Sequence, residues 1–207
     1  MVKKKTEGDP MTEYEQNLLR TLKTVQKPQW ISAFLPKFKL TRRLCEVGVR
    51  SGKNLFKLMR CNPELMVAVD IWKNDGDPAH NDIGLSQIEL DKQYASILEA
   101  STKRPNLQVL RMYSHEAAEE FEDGFFDFVY IDADHTYEGA KLDIQAWYPK
   151  IRKNGILSGH DYCDYVSKTG AKFGVKQAVN EFVSAHKFQE RFYVTPGRFA
   201  AWFVLKP

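Results

Sequence analysis

The chain has 207 residues, 43% of them hydrophobic and 28% charged, with a formal net charge of +3; this suits one globular domain and excludes extended disorder. Part of the positive excess lies in Lys3, Lys4 and Lys5, read as a solvated tail with contact to a polyanion as the alternative. Cys45, Cys61 and Cys163 are scattered without a CxxC pair, no apolar run is long enough to span a membrane, and the N-terminus is too polar for a secretory signal, so a soluble, reducing, cytoplasmic setting is expected.

In chain order, residues 1–11 are polar. Apolar positions Tyr14, Leu18, Leu19, Leu22 and Val25 recur at helical spacing over 12–27, with Thr12 as a cap and Pro28 as the stop. A short helix over 30–35 ends at Pro36. A regular alternation follows: strands over 43–47, 65–69, 107–112, 126–131 and 155–159, separated by helices over 54–60, 86–101, 115–121 and 137–148. A polar loop spans 73–84, a further helix spans 175–185, and two antiparallel strands over 192–195 and 199–205 flank the turn at Pro196 and Gly197. Strands alternating with helices, each strand an almost unbroken apolar run, imply a buried parallel sheet. The expected fold is α/β: a Rossmann-like, doubly wound, mostly parallel seven-stranded sheet with an antiparallel C-terminal hairpin. Residues 1–40 form a flexible tail and helical extension, and 41–207 the domain.

Ligands of open parallel sheets bind beyond the carboxyl ends of the strands. There the first strand ends in Glu46-Val47-Gly48-Val49-Arg50-Ser51-Gly52. Gly48 permits a sharp turn and close backbone approach, and Gly52 opens a helix with free N–H groups. The G-x-G-x-x-G fingerprint of dinucleotide sites is absent, because Arg50 and Lys53 occupy the other two glycine positions. The E-x-G-x-x-x-G form instead resembles motif I of class I S-adenosylmethionine (SAM)-dependent methyltransferases. Asp70 closes the second strand about 20 residues on, the usual place for an acid that holds ribose hydroxyls. Trp72 is a candidate to flank an adenine, or an ordinary buried aromatic. Ser114 follows the third strand, where it can touch the adenine or cap the next helix.

The densest chemistry follows the fourth strand, in Asp132-Ala133-Asp134-His135, and the fifth, in Ser158-Gly159-His160-Asp161-Tyr162. Charges crowding the ends of apolar strands pack poorly, which favours function. Carboxylates from two strand ends suit a hard divalent cation such as Mg²⁺, and His160 would shift the preference toward Mn²⁺ and its neighbours. The alternative is a His-Asp couple that fixes a loop.

The run FDFVYIDADHTYEGAKLDIQAWYPKIRKNGILSGHDY, followed by FGVKQAVNEF, resembles the family of macrocin-type sugar O-methyltransferases and cephalosporin hydroxylase-like proteins. It is similar, more distantly, to catechol and caffeoyl-CoA O-methyltransferases. The resemblance implies SAM as methyl donor and, in several members, a divalent metal at the acceptor oxygen. By position it implies that Glu46, Gly48 and Gly52 hold the methionine end of SAM and Asp70 the ribose; Ser51, Trp72, Ser114 and Asp132 are further candidate cofactor-binding residues. Asp132, His160 and Asp161 become the metal ligands, and His135, beside Asp132, the catalytic base. Tyr162 replaces an asparagine ligand of the catechol-type enzymes.

The expected activity is O-methylation of a small-molecule or sugar hydroxyl. A nicotinamide-dependent oxidoreductase and a non-catalytic SAM-binding protein are the alternatives, and a nucleic-acid acceptor is disfavoured because no Asn/Asp-Pro-Pro-aromatic loop follows the fourth strand. The loop over 73–84, the N-terminal helix and residues 162–172 are expected to border the acceptor cleft. Tyr137 is a candidate to close over it, Trp147 and Tyr148 are expected in packing, and Asp143 on a solvated helix face. The N-terminal helix is also a candidate for a homodimer interface.

Overall fold

Seven apolar segments pair into one sheet in a computed structural model, which describes residues 10–25, 31–77 and 83–207. The strands are β1 (Arg43–Val47), β2 (Leu65–Asp70), β3 (Leu107–Arg111), β4 (Phe126–Ile131), β5 (Ile151–Tyr162), β6 (Phe192–Val194) and β7 (Ala200–Leu205). They lie in the order β3-β2-β1-β4-β5-β7-β6. The first five pair in parallel, while β7 runs antiparallel to both β5 and β6. The mostly parallel α/β sheet expected from the sequence is therefore the sheet observed. Strand order reverses between β1 and β4, so the chain leaves these neighbours in opposite directions and a crevice opens at their carboxyl ends.

The period-2 alternation of each strand divides the core between two faces. Leu44, Met66, Ala68, Phe128, Tyr130 and Ile156 face one way, beneath α1 (Glu13–Leu22), α2 (Ile31–Phe34), α3 (Leu55–Leu58) and α4 (Gln87–Thr102). Cys45, Val47, Val67, Val69, Val129 and Leu157 face the other, beneath α5 (Ser114–Glu119), α6 (Tyr137–Trp147) and α7 (Val175–Ala185).

Helix α1 is an integral part of the first face. Thr12 and Glu15 form a capping box, and Leu18, Leu19 and Leu22 are buried in the core. Glu15 is fully buried and lies 3.8 Å from Arg191, just before β6. The apolar face of α1 is thus covered within the chain. The basic tail 1–9, the stop at Pro28 with its flanking residues 26–30, and the loop segment 78–82 lie outside the described residues. No helix among the described residues is long and apolar enough to cross a membrane.

Two boundaries differ instructively from the sequence reading. Strand β5 extends from Ile151 to Tyr162, well beyond the expected 155–159. Its polar start is recruited by pairing of Ile151 with Phe126, and hydrogen bonds to a neighbour do not require apolar side chains. The helix expected over 54–60 is one α-turn, Leu55–Leu58, continued as a 3-10 turn over Met59–Cys61. Asn62 then reverses the chain with φ +51°.

Candidate active site

A cavity of about 610 Å³ occupies the crevice where β1 and β4 part. Its floor begins with Glu46, which shares the face of Leu44 on the central strand and is only 1% exposed. An apolar side chain there would contribute about 1.5–3 kcal/mol through burial, whereas a carboxyl must be desolvated. Asn54 donates to Oε1 at 2.9 Å, and Oε2 has no partner. Burial pushes the Glu46 carboxyl well above its ordinary range, against the Asn54 hydrogen bond that lowers it.

The turn after β1 is built by two left-handed residues, Gly48 at φ +86° and Arg50 at φ +51°. A Cβ at Gly48 would lie 1.9 Å from the carbonyl oxygen of Asp132. The glycine is thus demanded by the backbone leaving β4, which closes against the turn. Gly52 departs from expectation. Its N–H is committed to the Val49 carbonyl, a Cβ there would strike Ile97 and Phe56, and it is absent from the cavity lining, so it serves packing. Ser51 is exposed and lines the rim.

Asp70 ties this turn to β2. Its Oδ2 accepts from the Arg50 N–H at 2.8 Å and its Oδ1 from the Trp72 N–H at 2.7 Å. The Val49 N–H is a third backbone donor to this carboxylate. Burial raises the Asp70 carboxyl in spite of these bonds. Trp72 is fully buried against Tyr94, and its Nε1–H donates to the Arg50 carbonyl at 3.0 Å. It lines the cavity as a brace for the turn.

Ser114 also lines the cavity, though not as a cap. Tyr113 holds the N-cap position of α5, while Ser114 Oγ accepts from Trp147 Nε1–H at 2.8 Å and bonds to Asp143. Asp143, expected on a solvated face, is 4% exposed and lines the cavity. Its Oδ2 has no partner, and burial pushes the carboxyl up to about 7 against the Ser114 bond. The missed signal was helical spacing: Ala140, Ile144 and Trp147 define the buried stripe of α6, and Asp143 falls within it.

Opposite stands a charged group from β4 and β5. His135 Nε2 lies 3.3 Å from Asp132 Oδ1 and 3.0 Å from Asp161 Oδ2. His160 Nδ1 approaches Asp161 alone, at 3.2 Å. Asp161 reaches this position because two residues of β5 oppose one of β7 between the Gly159–Trp202 and Tyr162–Ala200 pairs. This bulge re-aims the strand end, and Asp161 takes φ +54°. Burial would raise the Asp161 carboxyl, but the hydrogen bonds and charge of His135 and His160 outweigh it and hold it well below the usual range. His160 is raised in turn: burial lowers it, and the two carboxylates outweigh that.

One ligand atom from each of Asp132, His135 and Asp161 lies within 4.8 Å of the others. The sequence reading placed His160 in this set and His135 outside it; the ligand atoms that converge are those of Asp132, His135 and Asp161, while His160 lines the cavity beside Asp161. Tyr137, expected to close the cleft, instead donates to Glu181 at 2.6 Å. Tyr162 donates to Asn180 at 2.7 Å. Neither lines the cavity, and neither does any residue of α1. Trp147 is fully buried and Tyr148 packs against Phe182, as expected of packing residues.

A family model described as a methyltransferase domain matches residues 45–162, from β1 to the end of β5. The chain belongs to this methyltransferase family. No curated protein matches it. Among solved structures it is similar to an O-methyltransferase from Bacillus cereus in complex with SAH, at 15% identity and TM-score 0.57, over 95% of this chain and 92% of that one. An rRNA methylase from Streptococcus thermophilus is similar at 12% identity and TM-score 0.58, covering 88% of this chain and 98% of its own. Spermidine synthase from Thermotoga maritima is similar at 17% identity and TM-score 0.56 over 86% of this chain, which spans only 59% of the synthase. At such identities the likeness establishes the fold.

Proposed function

We propose that the protein is a SAM-dependent O-methyltransferase of small-molecule hydroxyl groups, related to the macrocin-type enzymes. One observation carries the reading: a single cavity joins an under-satisfied acid at the turn after β1 to a carboxylate–imidazole group at the ends of β4 and β5. The family match and the likeness to an O-methyltransferase in complex with SAH support it.

The cofactor side fits SAM. Glu46 Oε2 is an orphaned acceptor beside the turn, suited to the ammonium of the methionine end. Asp70, lining the cavity at the end of β2, is the acid suited to the ribose hydroxyls, and Ser51, Trp72 and Ser114 complete the wall. When bound, SAM supplies an electrophilic methyl on a sulfonium. The chain's own work is to align an acceptor oxygen with it and to receive the hydroxyl proton. His135 is placed for this, held between the carboxylates of Asp132 and Asp161.

A second reading rests on the 4.8 Å cluster. Two carboxylates and an imidazole are a donor set for Mg²⁺ or Mn²⁺, which Asp132, Asp161 and His135 would hold, and which would polarise the acceptor hydroxyl.

Calorimetric titration with SAH tests the first reading: saturable binding is expected, weakened about tenfold by Glu46→Gln, roughly 1.4 kcal/mol. Heat with NADH but none with SAH would overturn it. For the second, Mn²⁺ should bind the EDTA-dialysed protein and fail to bind Asp161→Asn; equal binding to both removes the metal site.

A further inference from the structure

The loop that carries Asp132, Ala133, Asp134 and His135 is a wall with a cavity on each side. In front lies the cleft of about 610 Å³; behind lies a second cavity of about 10 Å³, bounded by β4, β7, α6 and α7. The four loop residues and His160 line both. The remaining lining of the rear cavity is apolar but for one group, the indole of Trp202.

The strand register brings this ring in. Trp202 pairs with Gly159 across the antiparallel β5–β7 ladder. A Cβ at Gly159 would lie 2.7 Å from both Cε2 and Cζ2 of the indole, so only glycine lets the ring lie across β5. Trp202 is 1% exposed, and its Nε1–H, attached to that same Cε2, has no hydrogen-bond partner among the described residues. The other two fully buried indoles are satisfied by the chain, Trp72 by the Arg50 carbonyl at 3.0 Å and Trp147 by Ser114 Oγ at 2.8 Å. A buried indole N–H normally finds an acceptor, because leaving it unpaired costs more than its hydrogen bond gains. A side chain needed at position 202 only to fill space could be phenylalanine, which carries no such donor.

The size and lining of the rear cavity identify the acceptor. About 10 Å³ is the room of a single water molecule. Apolar cavities of this kind stay dry, whereas polar ones hold a water that makes two to four hydrogen bonds. The indole offers a donor on one side, and the carboxylates and imidazoles of the loop and of His160 offer acceptors on the other. A metal ion cannot accept from an N–H, and an anion is repelled by the carboxylates. Water does both jobs.

Building on the methyl-transfer reading for what His135 does, we propose that the rear cavity is a one-water site, through which Trp202 acts as a positioning residue for the loop 132–135. The Trp202 Nε1–H donates to the water oxygen, and the water hydrogens go to polar groups of the loop. The wall is then held from behind, so His135 keeps its place between Asp132 and Asp161 when a ligand fills the cleft in front.

The test uses the full chain with ¹⁵N-labelled tryptophan, and a form carrying β-(3-benzothienyl)alanine at position 202, which keeps the shape of indole and replaces its N–H with sulfur. Trp202→Phe identifies the Trp202 indole signal by its loss. In rotating-frame NMR that signal is expected to show a cross-peak to a long-lived water, and the Trp72 indole, satisfied by a carbonyl, to show none. In the sulfur form the ring signals of His135, assigned through His135→Gln, should shift, while SAH affinity stays within about twofold of wild type. No water contact at the Trp202 N–H overturns the site. A water contact with unshifted His135 signals in the sulfur form overturns the positioning role. Failure of the wild-type protein to bind SAH overturns the methyl-transfer reading instead, and the water cross-peak still decides the one-water site.

Discussion

The two ends of β4 carry aspartates in opposite states. At the entry, Asp127 is 2% exposed, and its Oδ2 accepts from the N–H groups of Arg42 at 2.6 Å and Arg43 at 3.0 Å. Its Oδ1 is paired with Arg152. At the exit, the Asp132 side chain is 32% exposed and meets His135 at 3.3 Å. One strand thus begins with a carboxylate whose partners come from the backbone entering β1 and from β5, and ends with one that faces a cavity. A saturated acid fastens strands together, while an acid with spare lone pairs is available to a ligand. The difference arises from the parallel sheet, whose entry edge is closed by neighbouring chain and whose exit edge opens at the switch point.

The largest effect expected from this contrast is on turnover. Asp161→Asn, which keeps a residue type tolerant of positive φ, should lower the rate of methyl transfer by about 10²–10⁴-fold. Its SAH affinity should be unchanged. Single-turnover rates check this, and an unaltered rate would move the chemistry away from the exit cluster.

Asp127→Ala should do the reverse. Two backbone donors and a guanidinium lose their acceptor, and the fold should lose about 3–5 kcal/mol in urea denaturation. SAH binding at low temperature should survive. A loss under 1 kcal/mol would show that the entry carboxylate is not structural glue.

The smallest effect concerns Asp143, whose carboxyl titrates near 7 when folded and near 3.8 in its ordinary state. Below pH 4 it is protonated in both folded and unfolded chains. Between about 4 and 7 the unfolded chain releases the proton and the folded chain retains it, so stability falls as pH rises. Above 7 the loss is complete, at most about 4 kcal/mol at about 1.4 kcal/mol per unit. Asp143→Asn should therefore match wild type at pH 4 and exceed it at pH 8. Parallel stability curves would show that Asp143 does not titrate as a buried acid.

The amino-acid sequence by itself determined the alternation of strands and helices, the mixed sheet, and the clustering of candidate groups after β1, β2, β4 and β5. These follow from local periodicity and from the rule that loops at the carboxyl ends of parallel strands share one edge. Which of those groups meet was decided only by tertiary structure. Asp161 follows the β5 bulge and meets His135, which completes the cluster with Asp132, while His160 stands beside Asp161. The backbone of Asp132 explains Gly48, and Ile97 of α4 explains Gly52, contacts that spacing along the chain does not encode. Trp202 comes from β7, and nothing in its local pattern sets its indole across Gly159 of β5. Periodicity is a property of neighbours in the chain, whereas a site is made of neighbours in space.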